Sequence, residues 1–170
     1  HHRSMSGLQK ILRLNTLPRS IEAYDNSNIG GSDPVGSMVS FVDGKPNKAG
    51  YRIFKIRTVE GADDYATMRE VLGRRMRRAL GDGDKWKRPD LIVTDGGRGQ
   101  LRMAVEACRD AGVDVVNLDG GPIQPAVGGP LVRVISIAKP TDREETDKLY
   151  EPGRTNAISL RGHDPALHLV

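Results

Sequence analysis

Two aspartates each close a short apolar stretch: Asp25 in Ile21-Glu22-Ala23-Tyr24-Asp25-Asn26-Ser27-Asn28, and Asp95 in Leu91-Ile92-Val93-Thr94-Asp95-Gly96-Gly97. Side chains on a strand alternate with a period of two, so Ile21, Ala23 and Asp25 share one face of the first stretch, and Leu91, Val93 and Asp95 share one face of the second. An ionised carboxylate beside buried apolar residues is costly unless something positive meets it, and such a position invites a metal ion or a basic partner. If the two strands are parallel neighbours, ~4.8 Å apart, Asp25 and Asp95 could share one divalent cation.

The segment after Asp95, Gly96-Gly97-Arg98-Gly99, has two readings. Glycines between a strand and a helix can cradle a phosphate at the helix N-terminus, or can simply turn the chain. A nucleotide-binding domain built on that turn is one function class, but the segment lacks the lysine-serine pair of a phosphate loop. Cys108 is the single cysteine, which excludes an internal disulfide and a multi-cysteine zinc site and fits a reducing cytoplasm. Its spacing places it with the core rather than among nucleophiles.

The elements that must position these residues follow in order. The 170 residues fit one domain, with 26 Lys+Arg against 22 Asp+Glu, so net charge argues only weakly for nucleic acid and clustering has to be inspected instead. No apolar run is long enough to span a bilayer and no signal-peptide pattern opens the chain, so a cytoplasmic protein without a membrane partner is expected. His1 to Met5 read as the remains of an expression tag, and residues 1–17 as that remnant plus a lead-in helix over Ser6 to Leu17 that Pro18 ends. Gly30, Gly31 and Pro34 mark a turn, after which Gly36 to Val42 and Tyr51 to Ile56 read as a hairpin joined by Asp43-Gly44-Lys45-Pro46. Asp63 opens a helix with Tyr65, Met68, Leu72, Met76 and Ala79 on one face and Glu70, Arg74, Arg77 and Arg78 on the other. That arginine cluster is either a solvated face or a phosphate contact.

Gly81 to Pro89 reads as a polar loop with Trp86 as a rim packing residue. A helix over Gln100 to Ala111 buries Leu101, Ala104, Val105 and Cys108. Asn117 to Pro130 reads as a long loop, Leu131 to Ala138 as a strand covered on both faces, Thr141 to Lys148 as a charged turn, and Arg161 to Val170 as the start of a helix with Pro165 in its first turn. Strand, hairpin, helix, strand, helix, strand, helix start is the order of an RNase H-like fold, an α/β architecture with a mixed five-stranded sheet, an antiparallel hairpin edge and flanking helices. In that fold the first and fourth strands lie side by side, and Asp25 and Asp95 converge.

Read together, several segments resemble the C-terminal half of UvrC, the incision nuclease of bacterial nucleotide excision repair. They are the two aspartate stretches, Tyr51-Arg52, Glu60-Gly61-Ala62-Asp63-Asp64-Tyr65, Met68-Arg69-Glu70-Val71-Leu72, Gly99-Gln100-Leu101, Ala138-Lys139, Pro152-Gly153 and Pro165-Ala166-Leu167-His168-Leu169, in the family's order over about Pro18 to Val170. The resemblance implies an RNase H-like endonuclease domain over 18–170 that cuts damaged double-stranded DNA 5′ to a lesion with Mg²⁺ or Mn²⁺, acting in a UvrB–DNA complex in the full-length protein. Asp25 and Asp95 match the family's two central catalytic aspartates, and Asp64 matches a third acidic position. The family's catalytic histidine lies about two helical turns beyond the Leu-His-Leu segment, so the resemblance implies that the chain stops short of it, and that His168 is not that residue.

Three positions depart from the family pattern. Asn28 stands where a histidine is usual, the loop from Asn117 to Pro130 is longer, and Pro140 follows Ala138-Lys139 where a basic residue is usual.

On this reading Asp25 and Asp95 ligate the metal, which keeps waters as potential nucleophiles. Lys139, Arg98 and Arg69 are the candidates for phosphate contact, Lys139 first because its strand delivers it near the pair. The fragment is expected to be monomeric. The rival reading is a non-cutting nucleic-acid-binding domain of the same fold, which metal-dependent nicking would exclude.

Overall fold

The computed structural model describes residues 2–29, 33–57, 63–81, 87–118, 131–140 and 146–161. Helix α1 (His2–Leu12) leads into strands β1 (Ser20–Ile29), β2 (Asp33–Val42), β3 (Lys45–Pro46) and β4 (Arg52–Lys55). Helix α2 (Asp64–Gly81), strand β5 (Leu91–Asp95), helix α3 (Arg98–Asp110) and strands β6 (Asp114–Val115), β7 (Leu131–Ala138), β8 (Asp147–Tyr150) and β9 (Ile158–Leu160) follow.

Among the described residues the sheet runs β3-β2-β1-β5-β7-β8-β9, with β4 paired to β2 and β6 to β7. β1, β2 and β4 form the antiparallel edge, and β1, β5 and β7 are parallel, which is the expected RNase H-like arrangement. The sheet then continues further than expected. β8 and β9 add antiparallel beyond β7, so Asp147 and Lys148 begin a strand rather than end a turn. Leu149 is the one fully buried residue of β8 and Tyr150 packs partly buried on the other face, too short a pattern to register as a strand in the sequence.

Helices cover both faces. α2 and α3 bury Met68, Leu72, Met76, Leu101, Ala104 and Cys108 against one side, and α1 buries Leu8 and Leu12 with Ile21, Leu91 and Val93 on the other. α1 begins earlier than the sequence suggested, because Met5 belongs to the same stripe as Leu8 and Leu12 and is buried with them. Residues dismissed as tag remnant thus enter the helix. Arg13, in the left-handed region at φ 53°, ends it, and the Leu14 amide reaches back to the Gln9 carbonyl at 2.9 Å.

α2 starts one residue after Asp63, whose Oδ1 accepts a hydrogen bond from the Ala66 amide at 3.0 Å, as an N-cap carboxylate does. Tyr65 leaves the buried face expected for it and is 47% exposed. Its ring instead lies against Gly99 of α3, where a Cβ would stand 2.6 Å from the tyrosine hydroxyl. Gly36 plays the same part for α2 on β2, since a Cβ there would meet the Val71 side chain at 2.2 Å. Cys108 is fully buried, and burial pushes its thiol up to about 12, in keeping with a core residue. Trp86, the loop over 119–130, the side chain of Asn28 and the helix start with Pro165 and His168 lie outside the described residues.

Candidate active site

The two aspartate strands are levelled at their starts. The Asp90 carboxylate, just before β5, accepts hydrogen bonds from the backbone amides of Arg19 and Ser20, both at 3.0 Å, and the Asp90 amide donates to the Ser20 carbonyl at 2.8 Å. From there the parallel register pairs Ile21 with Leu91, Ala23 with Val93 and Tyr24 with Thr94, so the next residues on the two strands are Asp25 and Asp95. The far side of β5 is fixed too. Gly96, at φ 132°, donates its amide to the Ile137 carbonyl at 3.0 Å, and Ser136 Oγ donates to the Gly97 carbonyl at 3.2 Å.

β1 runs on to Ile29 against β2 rather than closing on Asp25 as the sequence suggested. Asp25, Asp95 and Lys139 line one open cleft of about 290 Å³ where β5 and β7 end beside the middle of β1, with Ala23, Val39 and Val93 as its apolar wall. In an open α/β sheet this end of the parallel strands is where ligands are bound. Partial burial raises the Asp95 carboxyl above its usual range, the charge of Asp25 raises it further, and Lys139 pulls it back. The two carboxylates therefore feel each other, and Lys139 moderates their repulsion. Among the described residues no group of three or more histidine, cysteine, aspartate or glutamate side chains comes together, so the acidic pair is the centre of the cleft.

The other candidates are placed elsewhere. Asp64 is exposed in the first turn of α2, outside the residues that line the cleft. Arg69 pairs with Asp110 of α3 at 2.6 Å on the protein surface. Arg98 opens α3 just beyond the glycine turn, but its guanidinium stacks 4.8 Å from the centre of the Tyr150 ring and donates to the carbonyls of Arg154 and Thr155. It fastens the β8–β9 connection to the start of α3.

The charge cluster closest to Asp25 along the chain escaped the sequence reading. Glu22 is 6% exposed and meets Arg75 of α2 through two bonds, Nε to Oε1 at 3.0 Å and Nη2 to Oε2 at 2.8 Å. Tyr24 donates its hydroxyl to the same Oε1 at 2.5 Å, and Arg75 Nη2 also donates to the Lys87 carbonyl at 2.8 Å. Tyr24 is pushed well above its ordinary pKa by burial first and by Glu22 second. The signal was present, since Arg75 stands three residues after Leu72 and seven after Met68, on the apolar face of α2.

A cleft with two carboxylates on adjacent parallel strands, a lysine beside them and apolar walls suits a divalent cation with hard oxygen ligands, Mg²⁺ or Mn²⁺. Mutual repulsion of Asp95 and Asp25 is the feature such an ion would relieve.

Comparison with known proteins places the chain in context. The sequence model of the UvrC RNase H endonuclease domain matches residues 9–170. Proteins called UvrABC system protein C are similar: that of Desulfotalea psychrophila is 42% identical over 160 residues, 94% of this chain and 23% of the relative. That of Flavobacterium johnsoniae is 47% identical over 169 residues, 99% of this chain and 25% of the relative. The chain thus spans about a quarter of the length of these relatives. Among solved structures, Ciona intestinalis Endonuclease V in complex with an inosine-containing 24mer DNA aligns with a TM-score of 0.45 and 11% identity, over 74% of this chain and 48% of that one. No helix among the described residues is long and apolar enough to cross a membrane.

Proposed function

The chain belongs to the UvrC RNase H endonuclease domain family, and from that premise we propose that it cuts a strand of damaged duplex DNA, 5′ to the lesion, with the help of Mg²⁺ or Mn²⁺. The meeting of Asp25 and Asp95 on the adjacent parallel strands β1 and β5 carries this reading. The name shared by the relatives supports a setting in excision repair, on a UvrB–DNA complex.

In this reading Asp25 and Asp95 would hold the cation between the two strands. A divalent ion there supplies Lewis acidity toward a phosphate oxygen and a more acidic bound water. Lys139 offers its ammonium to the phosphate that enters the cleft and offsets the negative charge that accumulates during hydrolysis. The apolar wall of Ala23, Val39 and Val93 shields one side of the pair, while both aspartates stay exposed to solvent on the other. Asp90 and Gly96 act at a distance, Asp90 by levelling β5 with β1 and Gly96 by tying the end of β5 to β7.

The test is Mn²⁺-dependent nicking of a damaged duplex by the parent and by Asp95→Asn, in this chain and in one extended past Val170. Asparagine keeps the shape and removes the anionic ligand, so nicking should fall by at least about a hundredfold, the scale of losing one group that stabilises charge in the transition state. Parental nicking by Asp95→Asn in the extended chain would remove the paired carboxylates from the reaction.

A further inference from the structure

On the other side of the sheet from α1, a groove of about 310 Å³ runs between α3 and the connection from β8 to β9. Arg98, Arg102 and Arg109 line it from α3, and Arg154 lines it from the connection. Arg102 follows Arg98 by four positions and Arg109 follows Arg102 by seven, the spacing that stacks side chains along one helical face. At the α-helical rise the three span roughly 16 Å.

The charges of this groove are unequal. Two carboxylates border it, Glu106 on the rim and Glu151 beneath. Glu151 is buried and directs Oε2 toward Arg133 Nη2 at 3.5 Å; its Oε1 is buried without a hydrogen-bond partner, and burial raises its carboxyl above the usual range while Arg133, then Arg154 and Arg13, pull it back. Arg98 is taken up by the Arg154 and Thr155 carbonyls and the Tyr150 ring, which fixes the backbone that carries Arg154. Arg102, Arg109 and Arg154 are exposed, and among the described residues their guanidinium groups make no ion pair or hydrogen bond. Arg154 also acts by charge on Glu151, which leaves Arg102 and Arg109 as the freest cations, and exposed guanidinium groups in a row along one groove are suited to a polyanion with regularly spaced charges.

Position decides which polyanion. Arg98 stands three residues after Asp95, so the groove starts at the same end of β5 as the cleft, on the opposite face of the sheet, and follows α3 away from that end. We propose that this groove is a second phosphate-binding track, which takes the backbone of the DNA strand on its way to or from the Asp25–Asp95 cleft. Its length corresponds to about four or five nucleotides at the rise per strand of B-DNA. The inference rests on the nuclease reading for the identity of the ligand, and on the groove itself for the residues.

Duplex binding should be measured between roughly 50 and 200 mM salt, where phosphate contacts are resolved by counterion release. The parent is compared with Arg102→Gln/Arg109→Gln/Arg154→Gln and with Lys45→Gln/Lys48→Gln/Lys55→Gln, which removes the same charge at the hairpin edge of the sheet. The groove variant should lower the slope of log K against log salt by about 2 to 3, and the lysine variant by less than about 1. An unchanged slope, as a track for an acidic protein partner would give, overturns the proposal. So does an equal drop in both variants, which would mean diffuse attraction by the whole surface.

Circular-dichroism melting confirms that each variant folds, and should the triple variant fail, Arg102→Gln and Arg109→Gln singly should each lower the slope by about 1. Nicking separates the two readings. A parent that nicks only with Mn²⁺, with Asp95→Asn inactive but an unchanged slope in the groove variant, loses the track and keeps the nuclease. A lowered slope together with full nicking by Asp95→Asn keeps the track and loses the carboxylate site. No measurable duplex binding by the parent at the lowest salt overturns the track.

Discussion

Glu22 and Asp25 are carboxylates on one strand, set on its opposite faces, and they meet different company. Glu22 faces α2, where Arg75 holds it with two hydrogen bonds and Tyr24 adds a third, all hidden from water. Asp25 faces the open end of the sheet, where it presses on Asp95 across the strand boundary while Lys139 moderates the pair. A buried carboxylate whose cation lies within the chain holds the fold together. A carboxylate set against another carboxylate works against the fold, and is the arrangement the proposed cation site calls for.

The largest effect should come from breaking the satisfied side. Glu22→Ala leaves Arg75 buried without its main partner and Tyr24 without its acceptor, and removing one member of a buried ion pair costs about 3–5 kcal/mol. Urea unfolding should show a loss of that size, or no folded protein. A loss below about 1 kcal/mol would mean that the pair does not hold α2 to β1, and the contrast would collapse.

A smaller effect, of opposite sign, is expected at the cleft. The Asp95 carboxyl is raised above 3.8 in the folded chain, by burial and by Asp25, so the folded state holds its proton more tightly than the unfolded state does. Without metal, stability from this group is fully present below 3.8 and is lost as pH rises through the raised value. Asp95→Asn lacks that loss. Above this interval the metal-free variant should melt up to a few degrees higher than the parent, and the difference should vanish in more acidic buffer. A metal-free variant that melts lower at neutral pH would show that Asp95 is a structural residue like Glu22.

The smallest effect should come from a surface pair. Arg69 and Asp110 meet at 2.6 Å, but both side chains are more than half exposed, so Arg69→Ala should change stability by no more than about 1 kcal/mol. A greater loss by urea unfolding would place this contact with the buried pair.

The cleft was legible in the sequence because it depends on local pattern. Each aspartate follows an apolar alternation, although only Asp95 ends its strand and β1 runs on to Ile29; glycines follow Asp95, and a strand ending at Ala138 delivers Lys139. What escaped depends on choices among equivalents. α2 offers Arg74, Arg75, Arg77 and Arg78, and only packing selects Arg75 for the interior and Phe54 as the ring beneath Arg74, 5.2 Å away. Arg98 follows a glycine turn and reads as a phosphate ligand, yet the fold brings the carbonyls of Arg154 and Thr155 to it, a contact across more than fifty residues that no local pattern announces. β8 and β9 are short and weakly alternating, and they register as strands only because β7 leaves an edge for them to join.

The claim that Asp25 and Asp95 form a cation site can be tested without any substrate. Thermal melting of the parent and of Asp95→Asn, each with and without Mn²⁺, measures it directly. At a hundredfold excess over the dissociation constant the ion should stabilise the parent by about 2.7 kcal/mol, with a clear rise in melting temperature, and should leave Asp95→Asn where it was. A parent that gains nothing from saturating Mn²⁺, or a variant that gains as much as the parent, would contradict the paired-carboxylate site.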